Sequence, residues 1–410
     1  MTQRSKNWLL ALSVALLAFH ASAFWSVRHQ VAAGFPDFTS FYGAGLMLRH
    51  GQGTMLYHLG QQFAVQQQFA PAIRARGTPL PYLRPPFEVL LFWPLTYLSY
   101  TSAYIVGLLV SLAAAVAVPF LLRTELHALW SLPWWLLAGS PLLFTPIILT
   151  FVQGQDSVIV LFLYTLAYLA MRKQREFAAG CWLSLACFKP QLVLPSLLIF
   201  LLQGRKRMGL GVVVTFALLV GISAALVGSP ALFSYPQYLW SIEHNTGRGL
   251  VLARDTPNLR GLLEGLLSAM MSARSVLLLV CLISALVLIW AARNPARNDP
   301  AAGDLLFCTN LSVAILVSYH LFAYDLAILL LPILLLINHL AELTETRPQS
   351  RQWTLLGPVI VVLLASIAQL AWMGSHFMYL CAPIFLYWVW SLKREIALHI
   401  QCAVMAPEVS

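Results

Sequence analysis

The chain has 410 residues, 60% of them hydrophobic and only 10% Asp, Glu, Lys or Arg, with a mean hydropathy of +0.76. A soluble globular protein carries roughly a quarter charged residues, so that class is excluded and the repeated apolar runs read as membrane-spanning helices. The net charge of +10 does not point to nucleic acid, because the basic residues come in short clusters between apolar runs, as in the cytoplasmic loops of membrane proteins.

Those clusters are Arg4/Lys6, Arg172/Lys173/Arg175, Arg205/Lys206/Arg207, Arg293/Arg297, Arg347/Arg351 and Lys393/Arg394. Placing all of them in the cytoplasm fixes the parity of the helices between them. The first apolar run, residues 8–25, follows two basic residues and ends near Ala21-Ser22-Ala23, so it has features of a signal peptide. An uncleaved first helix fits better in a chain that is itself embedded in the membrane. A long outer loop follows over residues 26–100, and the run 86–98 within it is too short to span and reads as a helix lying on the membrane surface.

Helices over 101–122, 131–152 and 157–171 then lead back to the Arg172 cluster. The short runs 177–188 and 191–203 cross out and in, meeting at Lys189-Pro190 on the outer side. A helix over 208–227 exits to a second outer loop, 228–272, and 273–292 returns. Runs 304–319 and 325–339 flank His320, runs 354–373 and 378–392 flank His376, and 395–410 form a cytoplasmic tail. The expectation is a single all-α polytopic membrane domain, residues 1–410, with about twelve transmembrane helices and both termini cytoplasmic. The six cysteines (181, 187, 281, 308, 381 and 402) lie mostly inside apolar runs without metal-ligand spacing, so no disulfide framework is expected.

This parity gathers Asp37, Arg84, Gln155, Asp156, Lys189, Glu243, His244, Asp255, Asn258, His320 and Asp325 on or near the outer face. No comparable group collects on the cytoplasmic face, so a one-sided active site at the outer interface is expected. Asp37 stands out, since only 15 residues of the chain are acidic. On its own it reads equally well as the N-cap of a following helix. The Gln-rich run 58–70 reads as a helix lying on the membrane, and two prolines after Arg84 stiffen the chain that presents it. Arg84 taken alone is a lipid-headgroup anchor. Lys189 sits in an apolar run, where a charge is costly and points to function, although a lysine also reaches the interface along its own stem.

The order Asp37-Phe38-x-x-Phe41-Tyr42-x-Ala44-Gly45, Leu56-Tyr57, Tyr82-x-x-Pro85-Pro86-Phe87, Phe92-x-Pro94-Leu95, Gly154-Gln155, Lys189-Pro190 and His320 with Tyr324-Asp325-Leu326 resembles glycosyltransferase family 87. The resemblance runs over roughly residues 5–395, carried by the order and spacing of these motifs rather than by any one of them. It implies the GT-C fold and an inverting glycosyltransferase that moves a hexose, mannose first, from a polyprenyl-phosphate donor to a lipid-linked or glycan acceptor. It places Asp37 as the general base that deprotonates the acceptor hydroxyl.

Lys189, Arg84 and His320 would then face the donor phosphate, and Tyr42, Gln155, Asp156, His244, Asn258 and Asp325 the sugar or acceptor. Each has an ordinary structural reading too: an interface histidine for His320, a helix N-cap for Asp325, helix-end polar residues for Gln155 and Asp156. In some relatives the acidic residue binds a divalent metal. Phe38 rather than a second acid follows Asp37, which favours the metal-free version and leaves a metal open. No Walker-type loop or Asp-x-Asp pair is present, in keeping with a lipid-linked donor. A bacterial cytoplasmic membrane is the expected location. The competing classes are a transporter or lipid flippase, for which an internal repeat would argue and none is seen, and an inactive scaffold of the same fold.

Overall fold

The computed structural model describes residues 3–130, 132–244, 252–293, 300–342, 349–372 and 376–405, and among these there are helices and turns but no strand. That follows from the composition, because a helix satisfies its own backbone groups where lipid offers no partner. Among the described residues, six segments are long and apolar enough to cross a membrane: Leu10–Arg49, Tyr100–Arg123, Lys206–Glu243, Ala273–Ala292, Ala323–Glu342 and Gln352–Ala371. The chain is an integral membrane protein. The expected count of about twelve also took in shorter apolar helices, Ser157–Arg172, Pro190–Leu202 and Ala302–Val317.

Hydropathy located the helices Gln3–Ser26, Tyr100–Arg123, Ser157–Arg172 and Ala273–Ala292 to within a few residues. Elsewhere the structure differs. The expected helix over 131–152 is a bent pair, Trp134–Leu143 and Thr145–Gln153, turned by 65°. Pro133, Pro141 and Pro146 remove backbone donors along this stretch and break its ladder. The expected loop 228–272 begins as helix, because Lys206–His244 carries on past an interruption at Gly228 (φ 78°, ψ 155°). It contains a further helix, Leu259–Leu267. The expected tail is helical where described, since Cys381–Met405 runs into it. Cys181, Cys187, Cys281, Cys308 and Cys381 are free thiols. The side chain of His244 lies outside the described residues, as do those of the basic residues Lys6, Arg297, Arg347 and Arg351.

Backbone contacts gather the chain into two compact units. The first comprises Met1–Ala114, Ile147–Val158 and Thr215–Leu250. Its core is aromatic: Phe38, Phe41, Tyr42, Tyr57, Tyr82, Phe92, Tyr100, Tyr104 and Tyr238 are all buried. Phe41 stacks on Phe92 with centroids 4.7 Å apart, and Phe38 meets Tyr104 edge-on at 5.4 Å. The Gln-rich helix, Leu59–Gln66, is part of this core rather than a polar face lying on lipid, because Gln62 and Gln66 are buried. Gln62 donates to Leu56 O and accepts from the Tyr82 amide, while Gln66 bonds both backbone groups of Leu80. Two glutamines thereby satisfy a buried loop that has no ladder of its own.

The second unit comprises Ala115–Pro146, Ile159–Val214 and Val251–Ser410. In it the helix Pro300–Val317 packs against Pro190–Leu202, Leu330–Glu342 and Cys381–Met405. Glu176–Leu185 and the start of Lys206–His244 meet backbone to backbone: a Cβ on Gly180 would fall 2.0 Å from Met208 O, and one on Gly211 2.1 Å from Phe177 O. This unit also buries polar groups that no local pattern announces. Asp304 accepts from Tyr168 Oη at 2.8 Å and from Arg172 Nη1 at 3.1 Å, and His339 Nε2 lies 3.3 Å from Glu395 Oε1. Each of these contacts joins residues more than 50 positions apart in sequence.

Candidate active site

Asp37 occupies the residue before the helix Phe38–Arg49 but does not cap it. Its own backbone is already helical (φ −58°, ψ −24°), whereas a capping side chain needs extended backbone to turn back onto the free N–H groups. The carboxylate points elsewhere. Its Oδ2 accepts a 2.7 Å hydrogen bond from Gln155 Nε2.

Gln155 is delivered by the turn between Thr145–Gln153 and Ser157–Arg172. Gly154 adopts φ +59° there, and a Cβ on it would lie 2.6 Å from Phe38 Cβ. Only glycine fits a left-handed residue pressed that close. The Gln155 amide closes the turn onto Thr150 O at 2.9 Å. The neighbour of Asp37 thus sets the height of the turn, and the next residue in that turn holds Asp37.

The other end of the Gln155 amide accepts from Arg84 Nη2 at 3.1 Å, and the same nitrogen lies 3.3 Å from Asp156 Oδ1. Arg84 Nε is 3.7 Å from Glu88 Oε1. The loop carrying Arg84 is fastened through its backbone: Tyr57 Oη donates to Arg84 O at 2.8 Å and Tyr235 Oη to Leu83 O at 3.0 Å. Pro85 and Pro86 fix the chain beyond it. Arg84 is therefore held near Phe41 and the carboxylates, and is only 13% exposed. It is not a headgroup anchor reaching into solvent.

Glu88 is fully buried and accepts from Tyr82 Oη at 2.9 Å. Burial first, then the hydrogen-bonded Asp156 carboxylate, hold the Glu88 carboxyl well above its usual range, against the pull of Arg84 and Tyr82. Glu88 and Asp156 both face the Arg84 guanidinium, Asp156 at 3.3 Å and Glu88 at 3.7 Å. Burial and the same carboxyl push the Tyr82 phenol up as well. The order across the site is Asp37, the Gln155 amide, the Arg84 guanidinium and the two carboxyls of Asp156 and Glu88. Glu88 was missed in the sequence, although its i,i+4 spacing from Arg84 is a detectable signal.

Of the other candidates in this unit, Tyr42 donates its hydroxyl to Leu98 O at 2.8 Å and packs against Phe69 and Tyr100, so it builds the wall beneath the site. In the second unit, Lys189 is fully buried and ion-paired with Asp325, whose other oxygen accepts from the Phe322 amide at 3.0 Å. Asp325 is thus not the N-cap expected from its position: Phe322 precedes the turn Ala323–Leu329, and Asp325 reaches back from its third residue to the Phe322 amide. Lys189 Nζ also lies 5.3 Å from the Tyr324 ring centre. Asn258 caps Leu259–Leu267 through Gly261 N and donates to Ser318 O at 2.7 Å. His320 stands edge-on to Phe322 at 5.0 Å. These residues come together around the 318–325 turn. Among the described residues, no three His, Cys, Asp or Glu side chains are grouped to hold a metal ion.

Sequence comparison adds one match. A family model described as glycosyltransferase family 87 covers residues 82–318, more than half of the chain. Arg84, Glu88, Gln155, Asp156, Lys189 and Asn258 lie within it, and Asp37, His320 and Asp325 outside it. No curated protein matches the chain.

Proposed function

From the premise that the chain belongs to glycosyltransferase family 87, and is a membrane glycosyltransferase, we propose that it transfers a hexose from a polyprenyl-phosphate donor to a lipid-linked or glycan acceptor, with Asp37 as general base. The preferred sugar is mannose, the fold GT-C, and the site faces the outer side of a bacterial cytoplasmic membrane. The observation that carries the reading is the Asp37–Gln155 bond of 2.7 Å, which fixes one carboxylate oxygen through a neutral group.

In the proposed step Asp37 takes the proton of the acceptor hydroxyl while that oxygen bonds to the anomeric carbon. The bond from the anomeric carbon to the donor phosphate breaks from the opposite face, which inverts the configuration. The electron pair leaves with polyprenyl phosphate. A general base of this kind contributes roughly 10²- to 10⁴-fold. Gln155 acts as a positioning residue: it orients Asp37 and keeps the Arg84 guanidinium one amide away. A cation in direct contact would favour the ionised carboxylate and oppose proton uptake. No metal is required by this step.

The test is turnover by purified protein with polyprenyl-phosphate mannose and glycolipid acceptors, wild type against Asp37→Asn. Loss of turnover in the variant, with an unchanged melting temperature, is the expected result. Equal turnover would remove Asp37 from the mechanism. Turnover with another polyprenyl-phosphate sugar alone would keep the mechanism and replace the mannose assignment.

A further inference from the structure

The helices Ala273–Ala292 and Cys381–Met405 leave an outward-opening cavity of about 460 Å³ lined by Trp290, Pro383, Leu386, Tyr387 and Trp390. Leu386, Tyr387 and Trp390 are each more than 40% exposed. Positions 383, 387, 390 and 394 fall on one face of an α-helix, so the apolar stripe ends at Arg394. Its length along the axis is about 16 Å, close to the depth of one leaflet of a ~30 Å hydrocarbon core.

Cations stand at that end of the stripe. Arg394 lies 5.6 Å from the Trp390 ring centre. Lys393 donates to the backbone oxygens of Trp290 and Arg293 and lies 4.8 Å from the Trp290 ring centre, so it closes the foot of the cavity. Arg293 and Arg394 are exposed, and among the described residues neither takes part in an ion pair. Aromatic rings at interface depth with arginine beside them match the amphipathic profile of a lipid: acyl chain along the stripe, phosphate at the arginines.

We propose that this cavity is a binding site for an anionic phospholipid of the bilayer. The lipid's chain lies over Leu386 and Tyr387, its glycerol level against Trp290 and Trp390, and its phosphate on Arg293 and Arg394. A neutral lipid covers the same apolar surface but forgoes the charge pairing. The site is separate from the residues assigned to glycosyl transfer and does not depend on that assignment.

Native mass spectrometry of the full-length protein, titrated with phosphatidylglycerol or phosphatidylcholine of the same chains, tests it. Wild type is expected to retain phosphatidylglycerol preferentially. Arg293→Gln/Arg394→Gln is expected to weaken that retention roughly 30-fold, at about 1 kcal/mol per cation, and to leave phosphatidylcholine unchanged. Leu386→Trp fills the cavity and is expected to weaken both lipids. Equal retention of the two lipids by wild type, or undiminished phosphatidylglycerol in both variants, overturns the proposal. A protein dimer that replaces lipid adducts and is lost in Leu386→Trp assigns the cavity to a second copy instead, and also overturns it.

Discussion

Two aspartates that hydropathy alone treats alike are held in opposite ways. In the second unit Asp325 is tied to the Lys189 ammonium and to a backbone amide. In the first unit Asp37 is tied through Oδ2 to the neutral side-chain amide of Gln155, with Arg84 beyond it. A buried carboxylate paired with a cation locks structure, and breaking such a pair leaves an uncompensated charge. The hydrogen bond from a neutral amide sets the direction of one carboxylate oxygen and adds no charge of its own. The difference teaches which aspartate suits proton transfer and which suits architecture.

The largest expected effect would separate the two most sharply. Asp37→Asn should lower turnover by about 10²- to 10⁴-fold and leave the melting temperature of the detergent-purified protein in place. A comparable loss of folding would move Asp37 to the architectural side. Next in size, Lys189→Met should cost roughly 3–5 kcal/mol of stability, and Lys189→Met/Asp325→Leu should recover most of it, because replacing both charges removes the orphan. Denaturation of the single and double variants checks this, and an undisturbed single variant would mean that the pair does not lock the 318–325 turn.

Gln155→Ala should follow, with turnover down by about 10- to 100-fold, in line with losing orientation rather than the base itself. The expected split is a lower kcat at nearly unchanged KM and melting temperature. A rise in KM alone would return Gln155 to sugar or acceptor binding. Glu88→Gln should have the smallest effect, since the amide keeps the size of a carboxyl whose charged form burial already opposes. Its sign with pH can be derived. Burial and the Asp156 carboxylate make the folded state hold the Glu88 proton to higher pH than the unfolded chain, which releases it near 4.5. The stability contributed by this group is therefore complete below that pH and falls as pH rises towards the raised folded value, by up to about 1.4 kcal/mol per pH unit. Wild type should lose stability relative to Glu88→Gln as pH rises above the ordinary carboxyl range. Parallel melting curves across that range would show that Glu88 is ionised in the folded protein.

Much of the architecture was legible because membrane insertion selects on local composition: an apolar run long enough to span announces itself without reference to the rest of the chain. Breaks were harder to place. The bend before Thr145–Gln153 is marked by prolines, and Gly228 ends the expected helix over 208–227, but a second helix follows it at once where a loop was expected. The chain is helical again after Gly228, where Ala231, Tyr238 and Ile242 bury into the aromatic core of the first unit, which no local pattern reports. The expected surface helix over 58–70 went the same way. Its glutamines look like a wet face in sequence, and are buried in the fold because Leu56, Leu80, Tyr82 and Tyr238 give them partners.

By itself the sequence determined the helical membrane class, the positions of the long apolar helices, the family resemblance and the choice of Asp37, since each rests on residue type and spacing. Tertiary structure alone decided what those residues do for one another. It gave Asp37 an amide rather than a helix cap, gave Arg84 the acid pair of Asp156 and Glu88, and consigned Lys189 to Asp325. The physical reason is that side-chain charge in a poorly solvated interior is settled by contacts across 71 positions for Arg84–Gln155, 118 for Asp37–Gln155 and 136 for Lys189–Asp325, and such contacts leave no periodicity to read.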